Sequence, residues 1–400
     1  MSSKTTRVIF VRHGRSTFNQ QGRYQGSSDD SILTSLGMRT ACQVGLALRH
    51  RSIDIVYSSP LRRVQQTART LIHAMSPVNP PPMVLNHQLR EISLPGWEGL
   101  TYQTVRQQFS AEYDCWQHRP EAFELPARPA TLTQNTSAQK RIAVAADPYF
   151  PVQDLYQRSQ LFWQNFLARH TGHTCLIVSH SGTIHALIST ALGLQPKFHH
   201  ALQQSNCGIS ELTFGETTEE KTADKRLVRL HQLNNTEPLG EALPKVKTEK
   251  TGLRLILLAS EGLTSQHYQR IAKRLEEVRI DLCLTTSNSQ ASAAKLLKYH
   301  PKALQLTTEN ARFLPVWQQQ LSSASGPKDG MITSIAIAPS ADIQTLLAQS
   351  IAPGNRTVVE EGDLSSSLAH LPSQLALRPG LLSVVHYPDN HRPVIQTINS

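Results

Sequence analysis

The chain reads as an α/β protein: a three-layer α/β/α arrangement around a mostly parallel sheet, followed by a degenerate second copy of the same plan. Three observations predict this. Short apolar, β-branched runs at residues 8–11, 53–57 and 174–178 have the length and composition of buried strands. Helix-length stretches separate them, and such alternation marks parallel strands joined by crossover helices. A weaker echo of the same runs returns after residue 253.

Taken in order, the first run ends in Arg12-His13-Gly14, and residues 19–30 are polar and glycine-rich. Helices are expected at 34–50 and 61–75, on either side of the second strand. The proline-rich stretch 77–82 breaks the chain before a short strand at 83–85. Residues 101–109 and 152–170 read as helical, whereas 126–151 are rich in Ala, Thr, Gln and Pro without a clear period. We read 101–170 as a cap over the carboxyl edge of the sheet, with part of 127–148 mobile. Residues 1–240 form the expected first domain, 241–252 a polar linker and 253–400 the second domain.

The formal net charge is +10. Residues 253–400 hold 13 Lys/Arg against 11 Asp/Glu, so +8 resides in residues 1–252. That excess suits an anionic substrate. There is no long Lys/Arg run or interleaved aromatic platform, so no nucleic acid is expected as a partner. No apolar run approaches the roughly 20 residues that span a bilayer. A first strand near residue 7 leaves no room for a signal peptide. Five scattered cysteines without CxxC spacing fit reduced thiols in a cytoplasmic setting. His199, His200 and Cys207 fit no closed zinc pattern, and neither metal nor cofactor is expected.

Four polar clusters follow strand-like runs or lie close to one: Arg12-His13-Gly14, Ser58-Ser59-Pro60-Leu61-Arg62-Arg63, Leu89-Arg90-Glu91 before Gly96-Trp97-Glu98-Gly99, and Ser179-His180-Ser181-Gly182. The carboxyl ends of strands in open α/β sheets are where ligands bind. An imidazole beside a guanidinium suggests chemistry on a phosphate. On the residues alone, Arg62 and Arg63 compete for the second cation, and Glu91 and Glu98 for the acid. In order and spacing, the four clusters over residues 5–235 resemble the histidine phosphatase superfamily, in its phosphoglycerate-mutase-like branch.

The resemblance implies roles. His13 would be the nucleophile, since imidazole is largely neutral near pH 7 and attacks through one nitrogen while the other keeps its proton. Arg12, Arg63 and His180 would bind the phosphoryl oxygens, guanidinium matching phosphate by paired hydrogen bonds. Glu91 would protonate the leaving alkoxide and then deprotonate water. Ser16 and Asn19 fall on positions lining the phosphate pocket, and Gln25 and Gly26 on a substrate-contacting loop. Ser181 joins the binding residues beside His180. Tyr113 and Trp116 could floor the pocket or simply be core.

In the last third, aligned on its strand-like runs, Arg12 becomes Ala259, His13 becomes Ser260, Arg63 becomes Gln290 and His180 becomes Pro339. About 20 residues of the glycine-rich loop are missing there, as is the cap, which fits an inactive copy packed on the first domain. An active domain followed by such a copy resembles the two-domain phosphatases of photosynthetic cells, among them those acting on 2-carboxy-D-arabinitol 1-phosphate. The cap segment Tyr149-Phe150-Pro151-Val152, with Asp154 and Arg158 beyond it, departs from the Gly-Gly-Glu-Ser of simpler phosphatases. The implied partner is a small phosphorylated metabolite, and the implied substrate a Rubisco-inhibitory sugar phosphate. A phosphoglycerate mutase uses the same His, Arg and Glu set, and a non-catalytic phosphate-ester sensor is the third reading.

Overall fold

The computed structural model describes residues 5–125, 148–215, 227–246, 251–309, 313–323, 330–351 and 368–400. Apart from residue 148, the expected mobile part of the cap lies outside them. Six strands, β1 (Thr6–Arg12), β2 (Ile55–Ser58), β3 (Met83–Leu85), β4 (Thr174–Ser179), β5 (Ile209–Gly215) and β6 (Leu227–Asn235), form the first sheet in the order β3-β2-β4-β1-β5-β6. β1, β2, β3 and β4 run parallel, and β5 and β6 add an antiparallel edge.

Alternation along β1 sends Val8 and Phe10 to one face and Ile9 and Val11 to the other. The Ile9 face is covered by α2 (Ser35–Leu48) and α3 (Arg62–Met75), which follow the short α1 (Thr17–Gln21). Thr34 starts α2 by accepting the Gly37 N–H at 3.1 Å. Buried Val64, Ala68, Leu71, Ile72 and Met75 form the inward stripe of α3. The opposite face packs on α6 (Pro151–Arg169) and α7 (Ser181–Ala191). Between them in sequence, α4 (Tyr102–Gln108) and α5 (Ser110–His118) build the cap around Trp97, Trp116 and Phe123. Trp116 is therefore cap core, with its ring edge-on to Trp97, and Tyr113 packs at the margin of that cluster. The expected helices and strands are all present, with ends shifted by up to two residues. In the first half the sequence reading did not mark α1, α5, α7, β5 or β6; α1 and α5 are short segments with little apolar period, and α7 is buried over most of its length.

The second sheet holds β7 (Gly252–Ala259), β8 (Leu282–Thr286), β9 (Leu304–Thr308), β10 (Met331–Ala338), β11 (Leu382–Tyr387) and β12 (Val394–Thr397). Its order, β9-β8-β10-β7-β11-β12, reproduces the first sheet strand for strand, including the antiparallel edge. Its helices are α8 (Ser265–Leu275), α9 (Gln290–Leu296), α10 (Phe313–Ser323), α11 (Ser340–Ile351) and the single turn α12 (Leu371–Gln374). The residue pairings repeat as well: Arg12 faces Ser179 across β1 and β4, as Ala259 faces Ala338 across β7 and β10. His180 and Pro339, which follow, are thus structurally equivalent.

The same registers make Leu230 the equivalent of Ile395, and Leu233 the equivalent of Ile398. Where the halves meet, Leu202 bridges to Ile395 and Leu375 to Leu230, two contacts that exchange under a pseudo-twofold rotation. On the axis itself, Leu233 and Ile398 hydrogen-bond both ways, at 3.0 and 3.1 Å. One apolar cluster runs through this seam and includes β1, β6, β7 and β12 residues. Edge strands that would otherwise be templates for aggregation cover each other here. No helix among the described residues is long and apolar enough to cross a membrane.

Ile398 is 1% exposed. Ile398→Asp should therefore lower stability by more than about 3 kcal/mol, through a buried unpaired carboxylate, whereas Ile398→Val should cost about 0.5–1.5 kcal/mol. Urea unfolding checks this, and an Asp variant within about 0.5 kcal/mol of the parent would show that the seam carries little stability.

Candidate active site

Three parallel strands end side by side and deliver the polar clusters to one place. Arg12 is the last residue of β1 and His13 follows it. The His13 N–H donates to Ser179 O at the end of β4 (2.9 Å), and the Ser59 N–H beyond β2 donates to Val178 O (3.2 Å). His13 and His180 are both buried, their rings edge-to-face with centroids 5.3 Å apart. His13 Nδ1 lies 2.8 Å from Gly14 O. A carbonyl only accepts, so Nδ1 carries the proton and Nε2 keeps the lone pair.

His180 Nε2 lies 2.8 Å from Ser59 Oγ, while its buried Nδ1 has no protein partner. Burial, then the charges of Arg63, His13 and Arg12, hold the His180 imidazole well below its ordinary pKa. It is therefore neutral at pH 7, with one N–H to offer.

Two guanidinium groups reach the pocket. Arg12 Nη1 donates to Gln204 O (2.8 Å), and Arg63 donates to Ser28 O (2.7 Å) and Gly26 O (3.0 Å). Their partners are carbonyl oxygens, which position a cation without neutralising it. Burial pulls Arg63 down to about 10, so it stays charged. Arg62, the rival in sequence, is exposed and bonded to Asp29. Gly26 has φ +49°, and a Cβ there would lie 2.3 Å from Glu98 Oε1. Glycine is thus needed both for the left-handed turn and for the close approach that aims its carbonyl at Arg63.

The two candidate acids separate clearly. Glu98 Oε1 accepts from the Ser27 N–H (2.8 Å), the Ser27 hydroxyl (3.1 Å) and the Leu94 N–H (3.2 Å), which anchors the 25–28 loop. Glu91 sits over the start of α7, accepting from the N–H groups of Ile92 (3.0 Å), Thr183 (3.1 Å) and Gly182 (3.2 Å). Unpaired N–H groups at a helix start suit a carboxylate, and they hold this one beside His180.

The secondary positions do structural work. Ser16 and Asn19 cap α1 reciprocally, and Ser16 Oγ donates to Gln25 Oε1 (2.8 Å). Asn19 Oδ1 accepts from Asn206 Nδ2 (3.1 Å), which also donates to His13 O (2.9 Å). Ser181 Oγ donates to Gln204 O at 3.4 Å, the carbonyl that also accepts from Arg12. The sequence reading gave no role to Asn206, Ser59 or Gln204. Arg158 it noted only as a departure from simpler caps; here it comes from α6, with Nη2 3.5 Å from Glu91 O. His199 and His200 lie against Trp116, and burial pushes His200 down to about 4. Among the described residues no group of three or more His, Cys, Asp or Glu is placed to hold a metal ion.

Removing Arg63 should lower kcat/KM by about 10²–10³, and lysine should not restore it, because a point charge lacks the paired donors. Steady-state kinetics of Arg63→Ala and Arg63→Lys test this. The buried histidines also fix a sign. His180, His199 and His200 have folded pKa values below the unfolded 6.5, so near and below pH 6.5 the unfolded chain binds more protons. Their contribution is present above pH 6.5 and is lost progressively as pH falls from there through about 4, the folded value of His200. The urea midpoint should drop over that interval, and a flat or rising midpoint would contradict the burial of neutral imidazoles.

The sequence pattern of the histidine phosphatase superfamily (branch 1) matches residues 8–147 and 134–223. A curated relative from Arabidopsis thaliana, a probable 2-carboxy-D-arabinitol-1-phosphatase, is 33% identical over 59% of this chain and 44% of its own length. The 2-carboxy-D-arabinitol-1-phosphatase of Triticum aestivum is 31% identical over 66% of this chain and 47% of its own. A probable phosphoglycerate mutase of Yersinia pestis is 29% identical over 52% of this chain and 86% of its own. The aligned region thus spans about half the length of the first two relatives. Since the family pattern covers more than half of the sequence and its motif residues converge on one pocket, the chain belongs to the histidine phosphatase superfamily, branch 1.

Proposed function

We propose that the chain is a phosphoric monoester hydrolase that works through a phosphohistidine, on a small sugar phosphate. The observation that carries this is the His13 ring: its Nδ1 proton is held by Gly14 O, in a buried pocket with two guanidiniums and a neutral imidazole. His13 Nε2 would attack phosphorus in line with the ester oxygen. The P–O bond breaks, and the leaving alkoxide takes a proton from Glu91. Water then gives its proton to Glu91 and attacks the phosphohistidine, releasing inorganic phosphate and restoring the imidazole. Arg12, Arg63 and His180 would hold the equatorial oxygens, so that catalysis is chiefly positioning and charge stabilisation.

The names of the two plant relatives support 2-carboxy-D-arabinitol 1-phosphate as the substrate, and the whole-chain layout adds xylulose 1,5-bisphosphate as the second candidate. The second half would be catalytically silent, since Ala259, Ser260, Gln290 and Pro339 stand where the first half has Arg12, His13, Arg63 and His180. The likeness to a phosphoglycerate mutase sustains one rival. Mutase and phosphatase would differ in whether water reaches the phosphohistidine.

The test is phosphate release against a panel: the two inhibitor phosphates, ribulose bisphosphate, phosphoglycerates and hexose phosphates, with a mutase assay alongside. Release concentrated on the inhibitors is expected, with a loss of more than about 10³ in His13→Ala. Alkaline quenching with labelled substrate should place phosphate on His13. Isomerisation without release would make the chain a mutase. Turnover that survives His13→Ala would overturn the phosphohistidine route, and silence on every ester would favour a sensor.

A further inference from the structure

Beside the catalytic pocket lies a second cavity, of about 180 Å³, walled by both halves of the chain. At roughly 30 Å³ per water it would hold a carboxylate or phosphate with part of a carbon chain. From the first half come Ser181, His200, Gln204 and Lys197; from the β11–β12 turn of the second half come His391 and Arg392. No Asp or Glu lines it among the described residues. Lys197, with its Nζ 5.1 Å from the Phe198 ring centroid, and the exposed Arg392 are permanent cations on a lining without a carboxylate, which favours an anion.

Two further observations place it. Arg392 Nη1 donates to Lys197 O (3.3 Å), and His391 stacks on His118 of α5 with centroids 5.7 Å apart, so the second half closes over the cap and the α7 end. Gln204 is a shared wall: its carbonyl accepts from Arg12 of the phosphoryl pocket and from Ser181, which lines the cavity. Ser181 in turn follows His180. A ligand that fills both spaces would be an ester carrying its phosphoryl group at His13 and a second anionic group a few bonds away.

We propose that this cavity is a specificity subsite for the second anionic group, carboxylate or phosphate, of a two-anion phosphate ester, and that the second half of the chain supplies its Arg392. The proposal rests on the phosphomonoesterase reading of the first pocket. It gives the copy that lacks the catalytic set a task in substrate selection.

The test measures binding to the His13→Ala protein, in which ligand is not consumed. Dissociation constants would be compared for 2-carboxy-D-arabinitol 1-phosphate, xylulose 1,5-bisphosphate and phenyl phosphate, which has a single anionic group. Arg392→Ala and Lys197→Ala should each lower the preference for the two-anion esters over phenyl phosphate by about five- to tenfold, as expected for a charge-assisted contact open to solvent. The preference should also shrink with added salt. An unchanged ratio, or equal weakening of all three ligands, would overturn the proposal. A titration with inorganic phosphate separates a free anion from a substrate group. Two phosphates per chain, one lost in Arg392→Ala while the ester ratio stays fixed, would make the cavity an effector site and also overturn it. Failure of the hydrolase reading would register separately, as absent phosphate release or absent labelling of His13 in the wild-type chain.

Discussion

Two guanidinium groups buried among carbonyl oxygens are the constraint on which the rest of the first half depends. Removing a cation from water costs several kcal/mol, and a carboxylate partner is the common remedy. Arg12 and Arg63 take the other course: Gln204, Ser28 and Gly26 turn neutral oxygens toward them. The charge therefore remains for a dianion to meet. Loop 25–28 has to run under Arg63 for this, which requires the left-handed turn at Gly26 and the anchor at Glu98. A lysine at 63 could reach no such pair of carbonyls with a planar fork.

Neutral histidine is the second half of that arrangement. Next to two fixed cations and away from water, His180 resists protonation, so it adds an N–H donor without adding charge. In the same pocket the His13 proton is directed to Gly14 O, which leaves Nε2 with its lone pair, as the proposed attack on phosphorus requires. Glu91 reaches the site from a 3₁₀ turn ending at Leu89 and is fixed by the first N–H groups of α7, the helix that His180 precedes. Glu91, the second imidazole and the helix start thus share one rigid element.

Much of this could be read in the sequence because the chemistry sits at strand ends. Arg12, His13 and His180 each follow a short apolar run, so local pattern and ligand position coincide. What could not be read arrives from far away. Asn206 holds His13 O from 193 positions along the chain, and Arg158 reaches Glu91 O from 67. Neither residue type carries a period or a motif that announces the contact. On the residues alone Glu91 and Glu98 compete; the resemblance points to Glu91, and the positions of α7 and the 25–28 loop supply the physical reason. The repeat was legible as strand-like runs, but the bridge from Leu233 of β6 to Ile398, just past β12, was not. Edge strands of similar composition pair in several registers, and only the packing of the whole seam selects one.

The degenerate copy is best understood through that seam. Losing the glycine-rich loop and cap removed what a second catalytic site would need, yet the strand order and the antiparallel edge were kept. Those are the features that meet Leu202, Leu230 and Leu233 in the first half. Pseudo-twofold packing also fixes where the β11–β12 turn must go. If Ile395 lies on Leu202 and Ile398 on Leu233, the residues just before Ile395, including Arg392, are carried toward the α7 end and the cap. The packing that covers an edge strand thereby brings Arg392 to the cavity that Ser181 and Gln204 also line. The same backbone contacts that stabilise the pair of sheets set the position of that charge.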